Sequence, residues 1–492
     1  MRRDANHRSP TLELSSVVGC LGELLMVASV AQRFARIASD ERPADTEILM
    51  RRAIVLGASM AGLMAARVLS DHADEVLLIE RDASEESTLP RPGVPQGSQV
   101  HALLPAGHAQ LDRWFPGFTE DAIAAGAQNP PPETIRNYVN GELRPFPPQD
   151  ALGMSLVSTR PFLESLVRRR TLQIPNIRLI HGRADGIEFT GNRVTGVRYQ
   201  PPGPTDTPLV TEGADLVVDA TGRSSRLSDW LGAAGWPQST MRRMGIKLNY
   251  ASALFKRDPK VSDIGISIAQ NQPGGGQPPR QGGVLAVEDG RWLVLVAGYA
   301  DDRPTRDLED FRKRCREDFP PAFGQIADHG ELIGDVITYH QADSRRRDYD
   351  DLERIPAGLI VAGDAVASFN PVYGQGMTSA TLHASCLSAY LRSGAPLDQP
   401  ARAYFDDVRV VVDAAWQVST FADLALPHVD GPYPRGYRLT KWFSGLIYQA
   451  TARDPRINLQ FNRVTTMLDH PSALARPETL LRALRWKLAG AA

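Results

Sequence analysis

Apolar and polar positions change period twice within Arg52–Asp82, RAIVLGASMAGLMAARVLSDHADEVLLIERD. An unbroken apolar run, Ala53–Leu56, reads as a buried strand. A glycine turn follows from Gly57 to Gly62, then apolar positions at helical spacing to about Asp71. A second strand-like run, Glu75 to Ile79, ends in Glu80. The order strand, glycine turn, helix, strand predicts a βαβ unit with parallel strands. Two later stretches repeat the buried-strand pattern. ADLVVDATGRSSRL (Ala214–Leu227) runs into Asp219 and then Thr221-Gly222. GLIVAGDAVASFNPVYGQGM (Gly358–Met377) runs into Asp364, then Pro371, then Gly374-Gln375-Gly376-Met377 and a smooth helical stretch.

Between these lie segments with strand periodicity: TIRNYVNGELRPFP, GIKLNYASALFKRD, DIGISIAQ and GGVLAVEDGRWLVLVAGY, the last predicted to be a hairpin turning at Glu288-Asp289-Gly290. Asn271–Gly283 is a Gly/Pro-rich connection. Beyond about Gly394 the period becomes helical. The pattern therefore predicts an α/β chain in interleaved pieces. Residues 50–130, 154–240 and 341–395 form a Rossmann-like domain of the glutathione-reductase type. Residues 131–153 and 241–340 form a β-sheet substrate domain, and 396–492 a C-terminal helical region that either roofs the substrate cavity or packs on the nucleotide domain.

Residues 1–49 precede all of this. A basic start leads into SVVGCLGELLMVASVA (Ser16–Ala31), which is too short to span a bilayer and is interrupted by Glu23, so an amphipathic helix is expected. Because Met50 stands immediately before the first strand, residues 1–49 read as a dispensable extension.

Composition narrows the class. The 492 residues carry a formal net charge of −2 with 42% hydrophobic residues, a globular balance with no basic tail to track nucleic acid. Cys20, Cys315 and Cys386 are too scattered for a metal site and suit a reducing cytoplasm. No metal is expected, and membrane contact is peripheral at most.

The turns carry the chemistry. In G-x-S-x-A-G, Gly57 permits the tight turn, and Ser59 is small enough for a pyrophosphate to approach. Ala61 completes the loop, and Gly62 lets the helix pack onto the strand. The helix N-terminus offers N–H groups to phosphate. Glu80, beside Arg81, can accept hydrogen bonds from ribose hydroxyls and disfavours a 2′-phosphate, which leaves FAD or NAD. The second and third turns favour FAD, an extended molecule that needs a further acid downstream. Asp364 would hold the sugar chain, while Gly374, Gln375, Gly376 and Met377 open a helix whose N–H groups face the flavin, with Pro371 as wall.

On these motifs, over about Arg51–Leu391, the chain resembles the FAD-dependent monooxygenases of the para-hydroxybenzoate hydroxylase fold. RPGVPQGSQVHALLPAGHAQL (Arg91–Leu111) and the Gly363-Asp364 motif continuing FNPVYGQGM are similar to the flavin epoxidases of polyether antibiotic biosynthesis, relatives of squalene epoxidase. The resemblance implies FAD, O2 and electrons from NAD(P)H or from reduced flavin made by a separate reductase. It also places Arg91, His101 and Arg160 on the cofactor side. The W-x-W-x-I-P stretch of flavin halogenases is absent from the sequence, and Trp236 and Trp292 read as ordinary core or edge aromatics.

The function so implied is insertion of one oxygen atom through a flavin hydroperoxide, first into alkenes of a polyketide or terpenoid-like secondary metabolite. The substrate would be a small apolar polyene or aromatic. No paired base for phenol activation is visible; His101, His340 and Tyr250 are the candidates. Alternatives are aromatic hydroxylation, an FAD-dependent dehydrogenase or reductase of a polyprenyl lipid, and a flavin-free interaction protein.

Overall fold

The computed structural model describes residues 29–82, 88–204, 206–273 and 278–489. Five parallel strands form the first sheet in the order Leu359–Val361, Leu216–Asp219, Met50–Leu56, Ala73–Glu80, Ile177–His181. Its central residues, such as Ile54, Val55, Leu77 and Val218, are fully buried. That burial is the expected fate of uninterrupted Val/Ile/Leu runs covered on both faces. The sheet brings three strand ends together. Val55 pairs with both Leu78 and Val218, and Val361 pairs with Asp219, so the turns after Leu56, Asp219 and Val361 emerge side by side. Helices Met60–Leu69 and Gln375–Leu391, which begin in the first and third turns, pack on each other.

The second sheet has eight strands, in the order Ala367–Ser368, Leu332–Arg347, Met241–Lys256, Arg291–Tyr299, Arg280–Val287, Ile266–Asn271, Ile135–Val139, Glu142–Arg144. All its neighbours are antiparallel except Ile266–Asn271 with Ile135–Val139. The hairpin read at Glu288–Gly290 is present as a three-residue connection between paired Val287 and Arg291, with Asp289 and Gly290 both at positive φ (59° and 63°). Residues 274–277 of the Gly/Pro-rich connection lie outside the described residues. Arg183–Thr190, Arg193–Gln200 and Val210–Gly213 form a three-stranded antiparallel sheet that the sequence reading did not anticipate, although Val194, Val197 and Tyr199 alternate in its core with polar neighbours.

The long helix Arg402–Asp423 joins two regions. Tyr404, Val408 and Val411 pack into the core of the parallel sheet, while Leu424 and Leu426 just beyond the helix join Tyr250 and Tyr299 on the face of the large sheet. Further helices are Tyr437–Ala450, Pro455–Thr465 and Pro477–Ala489. No helix among the described residues is long and apolar enough to cross a membrane.

Of the Ser16–Ala31 segment, residues 16–28 lie outside the described residues. The remainder of the extension differs from the expectation of a dispensable piece. Residues 29–37 are helical, and Phe34 and Ile37 are 1% and 2% exposed in the main core. Arg33 pairs with buried Asp407, and Arg113 donates to the Ser39 carbonyl at 2.9 Å. The apolar pattern here is too short to distinguish a packed helix from a loose one; the partner surface, made by residues near 110 and 407, decides it.

Candidate active site

Gly57 has φ +95°, and a Cβ there would sit 2.6 Å from the Ala220 carbonyl oxygen, so the first turn needs glycine twice over. A Cβ at Gly62 would lie 1.8 Å from the Gly57 carbonyl oxygen, which is the close helix-on-strand approach read from the sequence. Ser59 precedes the Met60–Leu69 helix without capping it; its hydroxyl donates to Glu164 Oε2 at 2.6 Å instead. The helix's first N–H groups are therefore left for another acceptor. The Glu80 carboxylate folds back to accept from the Ala58 and Arg81 N–H groups at 2.7 and 2.8 Å.

Glu164 is the residue that the sequence reading missed. It lies on the Arg160–Leu172 helix, 5% exposed, one turn from Arg160 and from Arg168. Arg91 Nε donates to it at 2.8 Å and Arg168 at 3.0 Å, and Arg160 stands at 3.4 Å. Burial acts to raise its pKa, but Arg160, Arg91, the Ser59 hydroxyl and Arg168 outweigh it and hold the carboxyl below its ordinary value. Arg91 is also tied to Asp82 at 2.9 Å and Glu80 at 3.2 Å. Arg91 and Arg160 are thus fixed around the first turn by an acid whose i−4 and i+4 arginines were visible in RPFLESLVR.

In the second turn Asp219, fully buried, accepts from the Thr221 N–H (2.9 Å) and hydroxyl (2.6 Å), leaving Thr221 and Gly222 on the cavity side. In the third, Gly363 has φ +63°, packs against Ala61, and donates its N–H to His383 Nδ1 at 2.9 Å. Burial lowers the His383 pKa to about 3, so this imidazole is the neutral acceptor the bond requires. Asp364 is half-buried beside this turn. Burial pushes its pKa up, opposed by Arg160 and Arg223. Asn370 caps the turn Pro371–Tyr373 by accepting from the Val372 N–H at 3.2 Å. The positive φ (+68°) sits at Gly374; Gly376 needs none, and a Cβ there would meet only Asp364 Oδ1, at 3.9 Å.

The three turns border one cavity of about 700 Å³, within the usual range of cofactor sites. It gathers Gly57, Ser59, Ala61, Glu80, Arg81, Arg91, His101, Arg160, Thr221, Gly222, Asp364, Pro371, Gly374, Gly376 and Met377. Gly62, Gly363 and Gln375 stand behind the lining rather than in it; the first two serve backbone packing, and Gln375 is 1% exposed. Arg183, Arg223, Arg226 and Arg345 also reach the wall, against only Glu80 and Asp364 among acids. Several of these arginines are paired from behind the wall, Arg223 and Arg345 with Asp343 and Arg91 with Asp82 and Glu164. The large sheet closes the other side with Tyr250 and Tyr339, whose ring centroids are 5.6 Å apart, and with Gln341; Phe369 adjoins them. His340 is turned to Asn249 (2.8 Å) and is not part of the lining.

A donor set of this kind fits a dinucleotide with a flavin. The uncapped helix start lies among arginines, a donor set suited to a pyrophosphate, and a Cβ at Gly376 would meet nothing nearer than Asp364 Oδ1 at 3.9 Å. A family described as an FAD binding domain matches residues 51–393. The chain belongs to the FAD binding domain family. FAD is its cofactor, and it is an FAD-dependent monooxygenase. Protein Rv3254 of Mycobacterium tuberculosis is 32% identical over 428 residues, covering 85% of this chain and 90% of that one. The kynurenine 3-monooxygenase of Salinispora arenicola is 25% identical over 410 residues, covering 73% of this chain and 80% of that one. The solved structure of flavin-dependent brominase Bmp2 has a TM-score of 0.62 at 17% identity, covering 90% of this chain and 100% of that one, a likeness of fold.

Proposed function

We propose that this monooxygenase passes one atom of O2 to an alkene of a small apolar molecule, a polyketide or terpenoid-like secondary metabolite, to give an epoxide. The second oxygen atom leaves as water: two electrons and one proton arrive as hydride from NAD(P)H and the second proton comes from solvent, or reduced flavin made by a separate reductase brings in the two electrons. One observation carries the reading: among the described residues, neither His101 nor the tyrosines of the lining beside the large sheet is suited to take a proton from a phenol near neutral pH. Burial first, and then Arg160, lower the His101 pKa to about 3. Its Nδ1–H donates to the Gln99 carbonyl at 2.9 Å. Burial raises Tyr250 far above an ordinary phenol and also raises Tyr339. Epoxidation needs no such base. It needs an alkene held in place and water excluded, which Tyr250, Tyr339 and Phe369 can provide.

FAD, once reduced and exposed to O2, supplies an electrophilic oxygen. In this reading Gly57, Ser59, Ala61, Arg91 and Arg160 would receive the pyrophosphate, with Gly62 packing the helix onto the strand behind them, and Glu80 with Arg81 would take the adenosine ribose. Thr221, Gly222 and Asp364 would hold the central sugar chain, with Gly363 shaping the turn behind Asp364. Pro371 and Gly374–Met377 back the flavin ring, with His101 beside it as a neutral hydrogen-bonding group. The likeness of RPGVPQ and FNPVYGQGM to polyether epoxidases supports the same assignment.

Aromatic hydroxylation is the second reading. It is favoured by the kynurenine 3-monooxygenase relative and by the Tyr250–Tyr339 pair, which could flank a ring. The test is turnover under ¹⁸O2 with matched panels of polyenes and phenols, analysed by mass spectrometry. Label in an epoxide, or in the cyclic ether derived from it, supports the proposal. Label confined to hydroxylated phenols rejects it.

A further inference from the structure

Asp423 ends the helix Arg402–Asp423 and is fully buried. Its Oδ1 accepts from Asn370 Nδ2 at 2.7 Å and from the Tyr373 hydroxyl at 3.0 Å. Its Oδ2 is buried with no hydrogen-bond partner, and the carboxyl forms no ion pair among the described residues. Asn370 and Pro371 both line the cavity, so the acid grips that wall from behind. The choice of residue is costly: a carboxylate at a helix C-terminus faces the negative end of the helix dipole, and burial without a cation disfavours its charge. An asparagine could accept the same two bonds through its side-chain oxygen with no charge to bury. A structural tie does not require an acid here.

We propose that Asp423 is a positioning residue for the flavin-side wall, holding the Asn370–Gly374 turn through Asn370 and Tyr373, and that a proton taken up at its unpartnered oxygen loosens that hold. The inference rests on the reading that Pro371–Met377 backs the flavin. The groups facing the carboxyl are Asn370 and Tyr373 from the turn and Tyr299 from the large sheet, with His428 one ring beyond Tyr299 (centroids 5.7 Å) and bonded to the Ile246 carbonyl. None of them offsets the burial, which raises the Asp423 pKa to about 6, while the bonds from Asn370 and Tyr373 pull it down. Above that pH the charged oxygen accepts strongly; below it a neutral oxygen accepts weakly.

The test is FAD affinity of wild type, Asp423→Asn and Tyr373→Phe at pH 5 to 8, by flavin fluorescence, with melting temperatures to verify folding. The bound flavin's visible spectrum is taken for each and for Gly376→Val. Wild type should lose about fivefold in affinity from pH 7 to pH 5, with its midpoint near 6, as a charge-assisted bond becomes a neutral one. Asp423→Asn should abolish that step, leaving only the titration of Asp364 and other groups shared by all variants. Tyr373→Phe, lacking one bond that favours the ionised form, should move the midpoint up. An Asp423→Asn profile matching wild type in amplitude and midpoint overturns the proposal, even if its melting temperature falls. If the Gly376→Val flavin spectrum shifts in that case, the flavin placement stands and only the role of Asp423 is rejected. If neither substitution affects the bound flavin, the placement of the ring falls, and this inference with it.

Discussion

Replacing Glu164 by alanine tests whether one buried acid organises the first turn. The substitution removes the acceptor of the Ser59 hydroxyl (2.6 Å), Arg91 Nε (2.8 Å) and Arg168 (3.0 Å), and the negative charge nearest Arg160. Arg91 keeps Asp82 and Glu80, and Arg168 keeps the Ala58 carbonyl at 2.8 Å, so neither is wholly abandoned. Breaking a buried charge cluster from one side costs about 3–5 kcal/mol, and these remaining contacts put the expected loss toward the lower end, about 3 kcal/mol. The pH dependence follows from the sign of the shift. Burial raises the Glu164 pKa but the arginines outweigh it, so the folded value lies below the ordinary one. Its contribution is complete above the unfolded value of about 4.3 and is lost as pH falls through the lower folded value. Urea denaturation followed by circular dichroism at pH 7, and again below pH 4, measures both effects. The gap between wild type and Glu164→Ala should be about 3 kcal/mol at pH 7 and should narrow in acid. A gap under about 0.5 kcal/mol at pH 7, or one that widens in acid, refutes the reasoning.

Phe34→Ala should cost about 3–5 kcal/mol by thermal or urea unfolding, and a chain beginning at Met50 should be less stable still, because Phe34 and Ile37 are core residues; an unchanged midpoint would return the extension to a dispensable role. Asp364→Ala should weaken FAD binding about 10- to 150-fold in fluorescence titration, the worth of one charge-assisted hydrogen bond of about 1.5–3 kcal/mol, and retention of all flavin through dialysis would count against its assignment. Gly376→Val should fold, since a Cβ there meets only Asp364 Oδ1 at 3.9 Å, but should divert electrons from product to hydrogen peroxide; equal peroxide-to-product ratios in variant and wild type would place the reactive ring elsewhere.

The local half of this protein was legible from its residues. Gly57 at positive φ, the Gly62 approach, the Asp289-Gly290 hairpin and the βαβ order all follow from interactions within a few residues or along one strand, which sequence pattern records. The family likewise followed from three turns that each carry their own short motif. What only the tertiary structure decided is how distant groups share a charge. Glu164 sits between two arginines at helical spacing, yet its meaning depends on Ser59 and Arg91, 105 and 73 residues away. Asp423 lies in a stretch whose sequence shows only helical period, and the fold alone sets Asn370, 53 residues earlier, against it. His101 could be named from its motif, but not its neutrality, which burial and Arg160 impose. Sequence period fixes which face of an element is apolar; the protonation state of a group depends on the dielectric and the charges around it, and those exist only once separate segments have packed together.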